Sequence, residues 1–334
     1  IVRCKDANVS EPAKCVIKCV DFDAHSDLML AGGLDKVLRL YKVDGEENPR
    51  AVSVLFKDTP IFCAQFVEKG TVVVSGRRPW YHKYDVDTGA TQKVPRQLGA
   101  RDKSLEKFAA SPDGQWLAFT CDGGSVALAD ARRSQWVQDD LKMSGSARAV
   151  AFSSDSRRLY TAGGDAEVYV WDLRSRRCLE KFQDAGASKS SSLACVAAPA
   201  HHRLDDSMHR DFLAVGTEAG VVNVYDRGCN DVAPPSLRPA PAMPLRGVMS
   251  LTTTVDSVAF SPDGQIAAIA SKWSKDALRL VHLPSCRVVA NWPTHSTPLH
   301  YVTSVAFSKR AGYLAIGNDR GRVLLYKLQQ KAGF

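Results

Sequence analysis

Residues 151–172 carry the segments Ala151-Phe152-Ser153-Ser154-Asp155-Ser156, Leu159-Tyr160-Thr161-Ala162-Gly163-Gly164-Asp165 and Val168-Tyr169-Val170-Trp171-Asp172. They read as a short apolar strand, a polar turn, a second strand, a Gly-Asp turn and a third strand. Apolar runs of this length between turn residues are strand signals. The same frame recurs along the chain. Trp171 aligns with Tyr41, Tyr84, Ala129, Tyr225, Val281 and Tyr326, in steps of 43, 45, 42, 54, 56 and 45 residues. Four of these steps match the ~40–45-residue period of a four-stranded propeller blade. The two long steps carry insertions, one at Ala198–Arg210 and one at 231–244, the latter with five of the 16 prolines.

The upstream half repeats too. Phe22, Phe66, Phe108, Phe152, Phe260 and Phe307 close the first strand of their units and are expected to be buried between blades. Ser111-Pro112-Asp113-Gly114 and Ser261-Pro262-Asp263-Gly264 supply the turn that follows, Pro fixing φ and Asp-Gly tolerating the tight bend. The fifth unit has Leu193-Ala194-Cys195-Val196 in place of the Phe strand. Seven units predict an all-β fold, a seven-bladed β-propeller forming one domain over residues 1–334. The seventh unit ends without a fourth strand. The segment Ile1 to Lys5 is expected to supply it and so close the ring, leaving no sheet edge open.

Composition is that of a folded chain: 334 residues, 45% hydrophobic and 24% charged, which excludes general disorder. No apolar run reaches the ~18 residues of a membrane-spanning helix. The start Ile1-Val2-Arg3-Cys4 is read as carrying no signal peptide and as lacking an N-terminal segment. Nine scattered cysteines with no Cys-x-x-Cys point to reduced thiols and away from a zinc ribbon. Cys15 and Cys19 are read as core thiols. The net charge of +8 suits a polyanion partner without demanding one.

Catalytic signatures are missing. Ser104-Leu105-Glu106-Lys107 has the S-x-x-K spacing of penicillin-recognising enzymes but none of their companion motifs. His201, His202, Asp205, Asp206 and His209 share one insertion, which is read as a polar loop without the rigid scaffold a metal needs. No phosphate-binding, dinucleotide-binding or nucleophile-elbow motif occurs. No catalytic residue, cofactor, metal or small-molecule substrate is therefore expected, and Trp171-Asp172 is read as structural packing. The repeat frame is also degenerate. The Asp six residues before the aligned position survives only as Asp35 and Asp165, and the usual Gly-His pair is absent, so the blades are expected to rely on apolar packing.

A basic sector stands out. Gly76-Arg77-Arg78-Pro79-Trp80-Tyr81 falls where the second blade turns from its second to its third strand. Two Arg beside two aromatics can grip phosphate and stack a base or a peptide. Arg101 and Lys103 lie in the next inter-blade loop, and Arg148, Arg246, Lys272 and Lys275 are placed in equivalent loops, with Trp273 among them. Arg77, Arg78, Trp80, Tyr81, Arg101, Lys103, Arg148, Lys272, Trp273 and Lys275 are the candidate partner- or RNA-binding residues. Acids share these loops, among them Asp35, Asp165 and Glu218, so the face is mixed. Arg132-Arg133, Arg157-Arg158 and Arg174 to Arg177 are assigned to the opposite face or rim.

Specific stretches carry a resemblance. They include Arg3 to Asn8, Ala31 to Asp35, Tyr41 to Gly45, Gly164 to Asp172 and Gly220 to Tyr225. More telling are Leu278-Arg279-Leu280-Val281-His282-Leu283-Pro284-Ser285-Cys286 and Gly312 to Asn318, because a generic frame would not put Val-His where Trp-Asp belongs. The chain resembles the U3 small-nucleolar-RNA-associated protein 18 family, WD-repeat subunits of the small-subunit processome. That resemblance implies a non-catalytic nucleolar scaffold in early 18S maturation. Its implied partners are the propeller and helical-repeat proteins of the UTP-B subcomplex, the U3 ribonucleoprotein and the pre-ribosomal RNA 5′ spacer, with no membrane. The family's N-terminal extension, which recruits the exosome's helicase, is not in this sequence. The competing reading is a generic WD adaptor that binds peptide at its channel, as ubiquitin-ligase substrate receptors do.

Overall fold

In the computed structural model, which describes residues 1–9, 11–96, 103–186, 189–197, 210–228, 243–283, 285–294, 297–308 and 312–328, each repeat folds into an antiparallel meander. The seven blades span 17–55, 63–95, 108–142, 147–183, 190–249, 257–288 and 302–327 and make a β-propeller. The chain comprises two compact units. The first is Ile1–Lys107 with Ala270–Leu278 and Ala290–Phe334; the second is Phe108–Ile269 with Arg279–Val289.

The aligned positions all lie in third strands, opposite apolar partners: Met29 faces Tyr41, Val72 faces Tyr84, Leu159 faces Trp171, Leu213 faces Tyr225 and Leu314 faces Tyr326. All five partners are fully buried. The phenylalanine row needs correction at three places. Phe22, Phe152 and Phe307 complete the row and are buried. In the third blade the matching residue is Ala110, not Phe108, which pairs with Phe119 and stacks on it at 5.2 Å. Trp136 stands opposite the small Ala129 and restores the missing volume, as a close-packed interior requires. Phe66 sits at a register shift and Phe260 ends a four-residue strand with no fully buried member, so both are only half-buried. Cys19 is a core thiol as expected, but Cys15 precedes its strand and is exposed.

One turn is built three times. The Ser111 hydroxyl donates to Asp113 at 2.5 Å and accepts the Trp116 amide at 2.8 Å. Ser153 and Ser261 make the same pair of bonds with Asp155 and Arg158, and with Asp263 and Ile266. The position after the Asp has positive φ: Gly114 at 70°, Gly264 at 67°, and Ser156 at 58°. The Asp that follows the aligned position caps the next turn. Asp85, Asp130 and Asp172 each accept the amides two and three residues on, the local bonding that favours Asp in turns.

Within the first unit, Val2 and Arg3 pair with Lys327 and Tyr326, giving the last blade its fourth strand as expected. Asn8 is buried and bolts the junction. Its Nδ2 donates to the Gly321 carbonyl at 2.7 Å and its Oδ1 accepts the Val323 amide at 2.9 Å. The inner strands of blades 1, 4, 5 and 7 each bulge at their second residue: Lys18, Arg148, Ser191 and Thr303. Ser191 Oγ donates to the Val255 carbonyl ahead of the next inner strand, and Thr303 Oγ1 donates to that of Ile17.

Apolar packing is therefore not the sole support. Asp35 pairs with Arg39 at 2.6 Å, and the Tyr169 hydroxyl donates to Asp165 at 3.0 Å. Trp171 Nε1 donates to Thr161 at 2.9 Å. In the second unit, buried Asp184 accepts from the Tyr225 hydroxyl at 2.6 Å and Asn223 Nδ2 at 2.9 Å. Burial pushes the Asp184 carboxyl up, opposed by those two donors.

Candidate binding sector

The turn of the second blade lies between strands Thr71–Ser75 and Trp80–Asp85. Gly76 cannot carry a side chain here, because a Cβ would stand 2.3 Å from the Pro60 carbonyl oxygen. Leu105, fully buried, donates its amide to Gly76 O at 3.2 Å and so anchors the incoming segment 103–107 against the turn. Arg77 lies over the Phe62 ring at 4.7 Å and pairs with Glu106 at 3.0 Å. Arg78 donates Nε to the Asp58 carbonyl at 3.2 Å and lies 5.7 Å from the Trp80 ring. Lys103 is exposed on the anchored segment. Arg77, Arg78, Trp80 and Lys103 thus form one group.

Two of the expected aromatics differ. Tyr81 is fully buried and cannot meet a ligand. The alternation of a strand sends it inward when Trp80 and His82 point to the other face. Trp80 is half-buried, and Lys93 Nζ already sits 3.7 Å from its ring centroid. A base stacking there would have to displace or share that cation.

Under the turn runs a polar chain that the sequence did not reveal. Trp80 Nε1 donates to Thr59 Oγ1 at 3.1 Å, and the same hydroxyl shares a hydrogen bond with His82 Nε2 at 3.2 Å. Burial lowers the His82 pKa below its ordinary 6.5, the Lys93 ammonium adds to this and Asp58 opposes it. The unfolded chain therefore takes up a proton before the folded one does as pH falls. Stability should be full above about pH 6.5 and be lost as pH drops through the lower folded value. His82→Gln, whose uncharged side-chain amide can still hydrogen-bond Thr59, should show a shallower decline in denaturation midpoint between pH 7.5 and 5. Parallel pH profiles for the two proteins would contradict this.

A second group in the same unit is the turn 271–277. It is closed by the Ser271 amide on the Ala277 carbonyl at 3.0 Å and tied to the chain beyond by His300 N on Asp276 Oδ1 at 2.8 Å. It presents Trp273, 63% exposed, with Lys272 Nζ 5.1 Å from its ring and Lys275 exposed beside it. Trp273 is the better stacking surface of the two tryptophans.

The remaining residues do not join these groups. Arg148 belongs to the second unit, at the bulge of strand Ala147–Phe152, so it lies in a strand and not in a loop, and it pairs with Glu218. Arg246 likewise opens the outer strand Arg246–Met249. Arg101, His201, His202, Asp205, Asp206 and His209 lie outside the described residues. Among the described residues no group of three or more His, Cys, Asp or Glu is placed to hold a metal, and no helix is long and apolar enough to cross a membrane.

The family model for the WD domain, G-beta repeat, matches residues 9–42 and 141–172. These stretches hold Asp35 and Asp165, the two surviving Asp of the frame. The chain is 36% identical over 324 residues to a U3 small nucleolar RNA-associated protein 18 homolog of Arabidopsis thaliana, covering 97% of this chain and 56% of the relative. It is 34% identical over 335 residues to the Homo sapiens homolog, covering 99% and 57%. To the Saccharomyces cerevisiae U3 small nucleolar RNA-associated protein 18 it is 33% identical over 365 residues, covering 98% and 60%. The chain thus spans little more than half the length of these relatives. Along the length it covers, the chain is a WD-repeat propeller similar to these U3 small nucleolar RNA-associated protein 18 relatives.

Proposed function

We propose that this chain is the propeller domain, over residues 1–334, of a non-catalytic scaffold in the small-subunit processome. It acts in the nucleolus, in pre-rRNA processing toward 18S RNA. Its partners are the propeller and helical-repeat proteins of UTP-B, the U3 ribonucleoprotein and the pre-rRNA 5′ spacer. The observation that carries the reading is the match of nearly the whole chain to relatives whose names associate them with U3 small nucleolar RNA. The test is capture from nuclear extract on immobilised chain, scored for U3 RNA and UTP-B proteins. Recovery of ubiquitin-ligase subunits without U3 RNA would favour the adaptor reading instead.

Within that function the candidate sector is the polyanion-facing surface, made by Arg77, Arg78, Trp80 and Lys103 and by Lys272, Trp273 and Lys275. Backbone phosphates would be met by the cations and a base by Trp273. Arg77→Glu/Arg78→Glu should weaken binding to all single-stranded RNAs alike, because phosphate contacts carry no sequence information. The log–log salt slope should shrink by roughly 0.7 for each phosphate that is no longer neutralised. Folding should be unaffected, since exposed charges contribute little to stability. Equal RNA affinity of the wild-type and double-Glu proteins would retire the sector as an RNA surface.

A further inference from the structure

The second unit carries a charged surface that plays no part in the function proposed above. It lies at the other ends of the third and fourth blades, where first strands turn into second strands and third into fourth. Four turns meet there, at 111–115, 131–134, 153–157 and 173–176, with the outer strand Arg177–Gln183 beginning beside the last. Arg132, Arg133, Arg157, Arg174, Arg176 and Arg177 are all exposed. The turns and the Arg177 that follows hold no lysine and no aromatic residue.

Hydrogen bonds make the four turns one framework. The Ala131 amide donates to the Gln115 carbonyl at 2.8 Å, and Arg132 Nη2 donates to the Asp113 carbonyl at 3.3 Å. The Asp113 amide donates to Ser156 Oγ at 3.2 Å, which crosses from the third blade to the fourth. The Leu173 amide donates to the Arg157 carbonyl at 3.0 Å. The arginines are therefore presented from a continuous, internally bonded edge.

The acids in these turns face their own backbone. Asp113 and Asp155 each accept a serine hydroxyl and an amide two residues on. Asp130 and Asp172 accept the amides of Arg132 and Arg133, and of Arg174 and Ser175. These bonds satisfy the carboxylates locally. Asp155 also interacts with Arg157 and Arg158, and Asp172 with Arg174, yet the six exposed arginines outnumber these four acids, so the edge keeps a net positive charge.

We propose that this arginine edge is a docking surface for an acidic, carboxylate-rich protein segment. The planar guanidinium fork matches a carboxylate bidentately, which a lysine ammonium cannot do. The nearest aromatics, Trp116 and Trp136, are half-buried and packed within the third blade, so the edge presents no open stacking platform of the kind single-stranded RNA favours. Leu179, 56% exposed at a bulge two residues beyond Arg177, adds an apolar contact of the kind a peptide uses.

The test is fluorescence anisotropy on the full chain with two labelled probes, polyglutamate and oligouridylate. Polyglutamate should bind at low salt. Arg174→Glu/Arg176→Glu/Arg177→Glu should weaken it about tenfold or more, the size expected when close charge pairs are reversed. Arg132→Glu/Arg133→Glu, on the neighbouring blade, should reproduce the loss, so that a folding defect in one variant does not decide the matter. Lys42→Glu, at an exposed lysine outside both surfaces, should leave polyglutamate binding unchanged, which separates the arginine edge from the general positive charge of the chain. Undiminished polyglutamate binding in both edge variants would overturn the proposal. So would a larger loss for oligouridylate than for polyglutamate, which would make the edge an RNA surface.

Discussion

Phe152→Ala is expected to lower stability by about 3–5 kcal/mol, the range for emptying a buried aromatic site. Phe152 is 5% exposed and packs in a cluster with Leu159, Trp171, Tyr169, Leu128 and Ala118. Strands on either side hold this cluster in place, so it cannot collapse into the void cheaply. Phe260 occupies the corresponding strand end two blades on, but it is only half-buried. Phe260→Ala should therefore cost less than half as much. Urea titration of both variants decides the point, read as a shift in midpoint at unchanged slope. Equal losses would mean that the phenylalanine row is energetically uniform, as the sequence repeat alone suggests.

Asn8→Ala should cost about 1–3 kcal/mol, because it orphans one buried backbone amide and takes one of two donors from a carbonyl. The Val323 amide loses its acceptor, while the Gly321 carbonyl keeps the Ala13 amide at 3.1 Å as its remaining donor. Asn8→Asp keeps an acceptor for Val323 but aims a carboxylate at the Gly321 carbonyl, so it should not rescue. Hydrogen exchange separates this from a general loss of stability. The amides along Val323–Lys327, whose outer neighbour is Val2–Arg3, should lose protection before those of the second unit. Uniform loss of protection throughout would contradict a local role for Asn8.

The fold was legible because its signal is a period. Trp171 and the residues aligned with it mark equivalent sheet positions whatever their identity, even where Ala129 and Val281 replace aromatics. What the period could not carry was local compensation. The repeat reading puts Phe108 in the row although Ala110 precedes Ser111 as Phe152 precedes Ser153, and the Trp136 that faces Ala129 comes from another strand. Asn8 gave no signal beyond the family resemblance, since its partners lie more than 300 residues along the chain. Of the candidate sector, the turn at Arg77 and Arg78 and the exposed Trp273 were legible as charge beside aromatics in turns. The burial of Tyr81 was not, because a turn boundary misplaced by one residue inverts the faces of the strand after it. Arg148 was misplaced for a related reason, as a bulge adds a residue that no loop-length argument anticipates.

The junction that Asn8 bolts also has a consequence for synthesis. Val2 and Arg3 leave the ribosome well ahead of their partners Tyr326 and Lys327, which emerge more than 300 residues later. At ~5–20 residues per second, that separation is on the order of 15–65 s. Throughout this interval the opening segment has no native partner, and Ala7 and Asn8, buried in the finished fold, have nothing yet made to cover them. Whatever binds the emerging chain, whether a chaperone or a neighbouring nascent chain, can compete for that segment only during this window. A codon change that slows translation late in the message would lengthen the window without altering a single residue.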